Sequence, residues 1–344
     1  TLDSRLQEAA YNALGAYKGA VVVMEPSTGK VLAMVSKPDF DPNDMANQWE
    51  ILNADDSQSP LLNRATQGLY PPGSTFKILT TLEYLREFPN DYMNYTYDCQ
   101  GSMSQGDVTI KCYDYEVHGF EDLQGSFQHS CNTSFANIGL QLDNDKFAQM
   151  CESVMFNGKL PTVLPYSSSQ FTLNGNSSVG ETMQTAIGQG DTLVSPFHMA
   201  MIVSAVANDG VLMTPYFVDH IENSDGIKVS DTKAIQYKKL MESDEARILN
   251  EYMQSVVNGG TASSLSGMGY SVAGKTGSAE YEVNGNTGSE DNFSTHSWFV
   301  GFSNVEDPDI VVSVIAEDGG TGSSAAVPIA REVFNSYYNY VKTY

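Results

Sequence analysis

Along the chain the apolar positions keep two rhythms, and the changes between them mark out the elements. Leu2 to Ala16 repeat at helical spacing, with Leu2, Leu6, Ala9 or Ala10 and Leu14 on one stripe, so the chain is predicted to open on an amphipathic helix. From Gly19 to Ser36 two β-rich apolar runs flank Pro26-Ser27-Thr28-Gly29, which predicts a hairpin. Phe76, Leu79, Leu82 and Leu85 return to helical spacing, and helical patterns continue through Leu123 to Leu142 and Phe147 to Phe156. The middle of the chain is therefore expected to be mostly helical. Ser195 and Pro196 read as N-cap and first turn of a buried helix over Phe197 to Ala207, stopped by Asp209-Gly210. The last hundred residues are expected to return to strands at Tyr270 to Thr276, Ser297 to Phe302 and Ile310 to Ala316, before a helical run from Val327 to about Val341.

Strands at both ends imply an α/β fold: a mixed sheet built from N- and C-terminal strands, flanked by helices, with a mostly helical lobe inserted between them. On this reading residues 1–344 form one domain, with an α/β lobe over about 1–73 and 240–344 and a helical lobe over about 74–239. A cleft is expected where the lobes join. Hydrophobic residues make up 41% of the 344 and charged residues 17%, an ordinary globular balance. The formal charge of -24 would repel phosphate backbones, which argues against nucleic acid as a partner. No apolar run approaches the roughly 20 residues needed to span a bilayer, and the first residue is Thr1 rather than Met, so the chain reads as a trimmed fragment.

Candidate chemistry starts from a weak motif. Ser-x-x-Lys occurs three times, at Ser27/Lys30, Ser74/Lys77 and Ser230/Lys233. Ser27 falls in the predicted hairpin turn and Ser230 in a polar stretch without an apolar helix, so neither pair has a rigid scaffold. Ser74 follows Pro71-Pro72-Gly73 and begins the apolar-periodic helix. One turn apart, its hydroxyl and the Lys77 amine share a helix face, and a neutral lysine there could take the serine's proton. Neutrality requires burial and a nearby cation, which calls for a second lysine. Two further short motifs each occur once: Ser130-Cys131-Asn132 and Lys275-Thr276-Gly277.

S-x-x-K, S-x-N and K-T-G in this order match the set of the active-site serine penicillin-interacting enzymes. With Gly68-Leu-Tyr-Pro-Pro-Gly-Ser-Thr-Phe-Lys77, Gly188-Gln189-Gly190 and His296-Ser-Trp-Phe-Val-Gly301, nearly the whole chain resembles the monofunctional, class B penicillin-binding proteins, nearest the PbpA-like branch. The resemblance implies a β-lactamase/transpeptidase-like fold and a peptidoglycan D,D-transpeptidase that cross-links stem peptides and is inhibited by β-lactams. It implies that Ser74 is the nucleophile and Lys77 its base, that Ser130, bridging Lys77 and Lys275, relays the proton to the departing amine, that Asn132 holds the substrate amide and helps fix Lys77, and that Lys275 supplies positive potential. The hydroxyls of Thr276 and Ser278 would receive the substrate carboxylate, and the N–H groups of Ser74 and Ser278 would form an oxyanion hole whose close approach Gly277 permits. It also implies an extracytoplasmic location, a membrane anchor and pedestal domain before residue 1, a glycan polymerase as a partner, and no required cofactor.

A D,D-carboxypeptidase, a serine β-lactamase and a non-catalytic β-lactam sensor or scaffold stay open as alternatives, although no Glu-x-x-Leu-Asn segment follows Asn132 to activate a deacylating water. Cys99, Cys112 and His118 form a second candidate cluster. Thiolate and imidazole are preferred zinc ligands, with the fourth ligand open among Asp98, Asp114 and Cys131. A Cys99–Cys112 disulfide and free thiols are equally open, and Cys131 by itself reads as a small hydrophobe of the helical core. His129, His198 and His220 read as packing or surface residues, and the loop Tyr281 to Asn292 is expected to overhang the cleft.

Overall fold

The computed structural model describes residues 1–282 and 293–342; most of the loop expected over the cleft lies outside them. The opening helix α1 (Ser4–Leu14) is capped by Asp3, whose side chain accepts from the Arg5 and Leu6 amides, and it buries Leu6, Ala10 and Leu14. It leads into the expected hairpin, β1 (Gly19–Met24) and β2 (Val31–Lys37). At its turn the Gly29 N–H donates to Glu25 O at 2.9 Å.

α2 (Met45–Ala54) follows, then α3 (Lys77–Glu87). The middle of the chain departs from expectation. Between α3 and the next helix lie four strands of four residues each: β3 (Thr96–Cys99), β4 (Ser102–Gln105), β5 (Val108–Lys111) and β6 (Gly119–Asp122), paired β3 with β6 and β4 with β5. The run expected to be helical from Leu123 to Leu142 is broken into α4 (Leu123–Gln128) and α5 (Asn132–Gly139). At the break Ser130 has φ +59°, the left-handed region that ordinary residues avoid. Helices α6 (Asn144–Ser153), α7 (Val179–Ala186) and α8 (Pro196–Ala207) complete this stretch, α8 starting on the expected Ser195 cap.

Two small strand pairs follow, β7 (Val211–Met213) with β10 (Gln236–Lys239) and β8 (His220–Glu222) with β9 (Lys228–Asp231). The final hundred residues also hold a helix that the strand reading omitted, α9 (Ser243–Gly259). Its Glu242 and Glu245 form a reciprocal cap, and Ala246, Leu249, Met253 and Val256 are buried at helical spacing. Strands β11 (Val272–Glu282), β12 (Phe293–Ser303) and β13 (Val311–Ala316) and helix α10 (Ala326–Ser336) end the fold.

The main sheet has the order β11-β12-β13-β1-β2, every pairing antiparallel, so strands from the two chain ends do meet side by side. Every residue of β1 and β13 is buried, because α1 and α10 pack against these inner strands and α8 packs against them as well. That coverage explains why Val21, Val22 and Val23 run apolar without alternation. The edge strand β11 packs against α9 and the Gly73–Phe76 turn, and this edge is where the candidate motifs gather.

Candidate active site

The Ser74 segment is a tight backbone junction. Gly73 has φ +53°, and its N–H donates to Gly188 O at 2.9 Å. A Cβ at Gly73 would lie 2.6 Å from Ser278 O, and one at Gly188 would lie 2.0 Å from Gly73 O; only glycine fits at either position. Residues Gly73–Phe76 form one 3₁₀ turn that runs into α3, and the Lys77 N–H bonds back to Ser74 O and Thr75 O. Ser74 thus lies in the turn before the α-helix rather than at its first residue. Phe76, buried against Phe147, Phe156 and Phe171 with ring centroids 5.9 Å away in each case, anchors the turn. Thr75 and Phe76 are buried while Ser74 stays partly exposed, so a hydroxyl nucleophile here is reachable from solvent.

Lys77 is fully buried, and its Nζ lies 2.6 Å from Ser130 O, 2.8 Å from Asn132 Oδ1 and 3.3 Å from Ser130 Oγ. Burial pushes its pKa down to about 8, since an ammonium loses its hydration there. A neutral amine has two N–H donors and one lone pair. The carbonyls of Ser130 and Asn132 absorb the two donors, which leaves the lone pair for a hydroxyl. Lys275, also fully buried, places its Nζ 2.8 Å from Ser130 Oγ. Burial and the charge of Lys77 push its pKa well down. The expectation of a second lysine is met, with burial rather than that cation as the main depressant on Lys77. The left-handed backbone at Ser130 sends its hydroxyl between the two amines while Asn132, two residues on, still reaches Lys77. The Asn132 amide also donates to Lys111 O at 2.9 Å, tying the motif to the end of β5.

On β11 the K-T-G residues pair with β12 in the register Lys275 with Val300, Thr276 with Phe299, Gly277 with Trp298 and Ser278 with Ser297. A Cβ at Gly277 would come within 2.9 Å of Pro72 O, so the strand lies directly on the Ser74 turn. Ser278 O faces Gly73, away from β12. In an antiparallel strand the N–H and C=O of one residue point the same way, so the Ser278 N–H is likewise turned toward the groove. Ser74, Lys77, Ser130, Asn132, Lys275, Gly277 and Ser278 therefore meet at one junction, drawn from the two ends and the middle of the chain. The profile of the family described as "Penicillin binding protein transpeptidase domain" matches residues 19–335.

The chain belongs to that family. It is 33% identical over 352 residues to the peptidoglycan D,D-transpeptidase PbpA of Mycolicibacterium smegmatis, covering 96% of this chain and 70% of that one. The D,D-transpeptidase domain of an Eggerthella lenta peptidoglycan glycosyltransferase superposes with a TM-score of 0.88 at 33% identity, over 98% of this chain and 81% of that one. Penicillin-binding protein A of M. tuberculosis, solved as a ceftriaxone acyl-enzyme, does so with a TM-score of 0.86 at 28% identity, over 97% and 78%. The penicillin-binding-protein fold thus accounts for the sheet, its covering helices and the inserted region.

The cysteines form a second cluster behind the first. Cys99 and Cys112 sulfurs are 3.7 Å apart, Cys112 and Cys131 sulfurs 3.7 Å, and Cys99 Sγ lies 3.4 Å from His118 Nδ1. One ligand atom from each of these four residues lies within 4.8 Å of the others. Asp98 and Asp114 are not part of this set. The Cys99–Cys112 bridge is not formed, for their sulfurs stand 3.7 Å apart and none of the four cysteines is in a disulfide. Cys131 is not a filler of the main core either: with Cys99 and Cys112 it makes a separate cluster against Tyr97. Zinc at about 2.3 Å from sulfur and 2.0–2.1 Å from nitrogen would space tetrahedral ligands by ~3.8 Å and ~3.6 Å, close to the observed contacts, so the donor set fits that ion. The far nitrogen of His118 faces the Glu116 carboxylate at 3.6 Å, beyond hydrogen-bond distance.

The other histidines are bonded elsewhere. His198 is buried between Ser169 and Val154 O, His220 pairs with Asp219 and Glu222, and His129 pairs with Glu121. Sequence reasoning passed over Thr261, whose hydroxyl lies 2.5 Å from that of Thr276, and Gly322, whose N–H donates to Ser278 Oγ at 3.2 Å. The Gly259-Gly260 pair before Thr261 was the available signal.

Proposed function

We propose that this domain is a serine D,D-transpeptidase of peptidoglycan stem peptides, acting at the extracytoplasmic face of the membrane where that substrate lies. Ser74 Oγ attacks the carbonyl of the penultimate D-alanine as Lys77 takes its proton. The oxyanion that forms is met by the N–H groups of Ser74 and Ser278. The C–N bond then breaks, the departing D-alanine amine receives its proton through Ser130, and the acyl group stays on Ser74. An amine from a neighbouring stem takes the acyl group and cross-links the two. A β-lactam opens its ring by the same first step and leaves no second product to depart. Asn132 orients Lys77 and the substrate amide, Lys275 supplies positive potential, and Thr276, Gly277 and Ser278 receive the terminal carboxylate. A glycan polymerase is the partner that would supply the strands.

The observation that carries this reading is the Ser130 hydroxyl held between Lys77 and Lys275, since a proton relay needs a hydroxyl in contact with two amines. Intact-mass measurement with and without penicillin G tests it. A gain of one penicillin per chain, mapped to the Ser74 peptide, is expected and should persist for minutes. No adduct, or an adduct on another residue, overturns the reading; loss of the adduct within seconds makes the domain a β-lactamase.

We propose in addition that Cys99, Cys112, Cys131 and His118 hold a structural zinc ion. No reaction step needs it; bound there, it would cross-link β3, the segment after β5 and the start of α5. Metal analysis of the purified chain should return close to one zinc, and cobalt substitution should give thiolate charge-transfer absorption. A metal-free chain that gives no such band on adding cobalt sinks the proposal.

A further inference from the structure

The C-terminus of α9 is pressed into the site. A Cβ at Gly260 would lie 2.3 Å from Gln128 O, two residues before Ser130, so α9 and α4 meet there with no room for a side chain. The next residue, Thr261, is half-buried and reaches across to β11, with Oγ1 2.5 Å from Oγ1 of the buried Thr276. Each hydroxyl owns one proton, and one of the two lies between the oxygens. If Thr276 donates, it spends its only proton and turns lone pairs toward any incoming carboxylate. If Thr261 donates, Thr276 keeps its proton for the carboxylate, and the two aligned O–H dipoles strengthen each other.

We propose that Thr261 is a positioning residue for substrate recognition: it donates to Thr276 and so commits the Thr276 hydroxyl as a donor to the C-terminal carboxylate of the stem peptide, or to the ring carboxylate of a penicillin. The inference rests on the transpeptidase reading above. The carboxylate keeps its charge while the acyl bond forms, so the contact acts on binding in the ground state and the transition state alike. Removing Thr261 therefore weakens binding and leaves the chemical step alone.

The test uses the complete chain and penicillin G, resolving the acylation rate into a dissociation constant and a limiting rate at Ser74. Thr261→Val is expected to raise the dissociation constant by about fivefold, the scale of one hydrogen bond between neutral groups, with the limiting rate within about twofold of the parent and the melting temperature unchanged. Thr261→Ser keeps the donor and should restore the parent value. Thr261→Ala carries the same expectation as valine should the valine variant fail to fold. An unchanged dissociation constant in the valine or alanine variant, a loss confined to the limiting rate, or a serine variant as weak as valine overturns the inference. A parent chain that penicillin G does not label overturns the transpeptidase reading instead, which keeps the two failures distinct.

Discussion

Two buried clusters lie back to back across a single tripeptide. Ser130 and Asn132 face Lys77 and, through the serine, Lys275, whereas Cys131 between them faces Cys112 and Cys99. The first cluster collects two amines whose charges repel, and it opens toward the partly exposed Ser74. The second collects three thiols and an imidazole and is closed off beneath Tyr97. The left-handed turn at Ser130 makes this division, since it lets adjacent residues serve opposite sides. The lesson is that one short motif can anchor both a reactive groove and a rigid brace, and the two roles should separate on mutation. Changes in the first should remove acylation and spare the fold, and changes in the second should act first on the fold and on acylation only through it.

The sharpest break is expected at the groove. Ser74→Ala should abolish the penicillin adduct outright, and Lys77→Ala should slow acylation by about 10²–10⁴-fold, the usual worth of a positioned general base. The melting temperature should hold in Ser74→Ala, whose side chain is partly exposed, read by scanning calorimetry beside the mass measurement. A Ser74→Ala chain that still takes up penicillin would transfer the nucleophile elsewhere and end the comparison.

Next in size is the pH profile. The folded pKa of Lys77 is lowered to about 8 by burial, so its neutral, proton-accepting form grows as pH rises through about 8 and shrinks below it. Acylation by penicillin G should therefore climb about tenfold per pH unit below pH 8 and level off above it. A profile flat from pH 6 to 9 would mean that Lys77 is not the base.

The brace should answer differently. Cys131→Ser removes one of four candidate ligands between two catalytic residues, and Cys112→Ser removes one remote from them. Both should release zinc and lower the melting temperature by several degrees, at about 1.4 °C per kcal/mol for a chain of 344 residues. Acylation should fall more in Cys131→Ser, because its neighbours lose their support. If both variants keep the parent melting temperature, the second cluster is not a brace.

How much of this was legible in the residues varies with the reach of the signal. The first helix and hairpin were readable because their apolar stripe and turn residues are local, and β13 and α10 for the same reason. Strands β3 to β6 were not, since four-residue segments such as Ser-Met-Ser-Gln and Gly-Phe-Glu-Asp are too short and too polar to show alternation. Helix α9 had a readable cap in Glu242 and Glu245 that was overlooked. The break at Ser130 interrupts a continuous helical pattern, because tertiary contacts to Lys77 and Lys275 override local preference. The motif residues were found by spacing, but Thr261 and the choice of Cys131 over Asp98 and Asp114 depend on which segments the fold brings together. Only the folded arrangement decides that.

The smallest expected effect sharpens the same point. Ser27 and Lys30 repeat the Ser-x-x-Lys spacing of Ser74 and Lys77, yet Ser27 sits in the β1–β2 turn and Lys30 pairs with Asp219 at 3.3 Å on the surface. Among the described residues no second lysine and no S-x-N segment meets them, and an exposed ion pair of this kind contributes little to stability. Ser27→Ala and Lys30→Ala should leave both the acylation rate and the melting temperature at parent values within error. A loss of acylation in either would show that the spacing itself, rather than the burial of Lys77 beside Ser130, was the source of the chemistry.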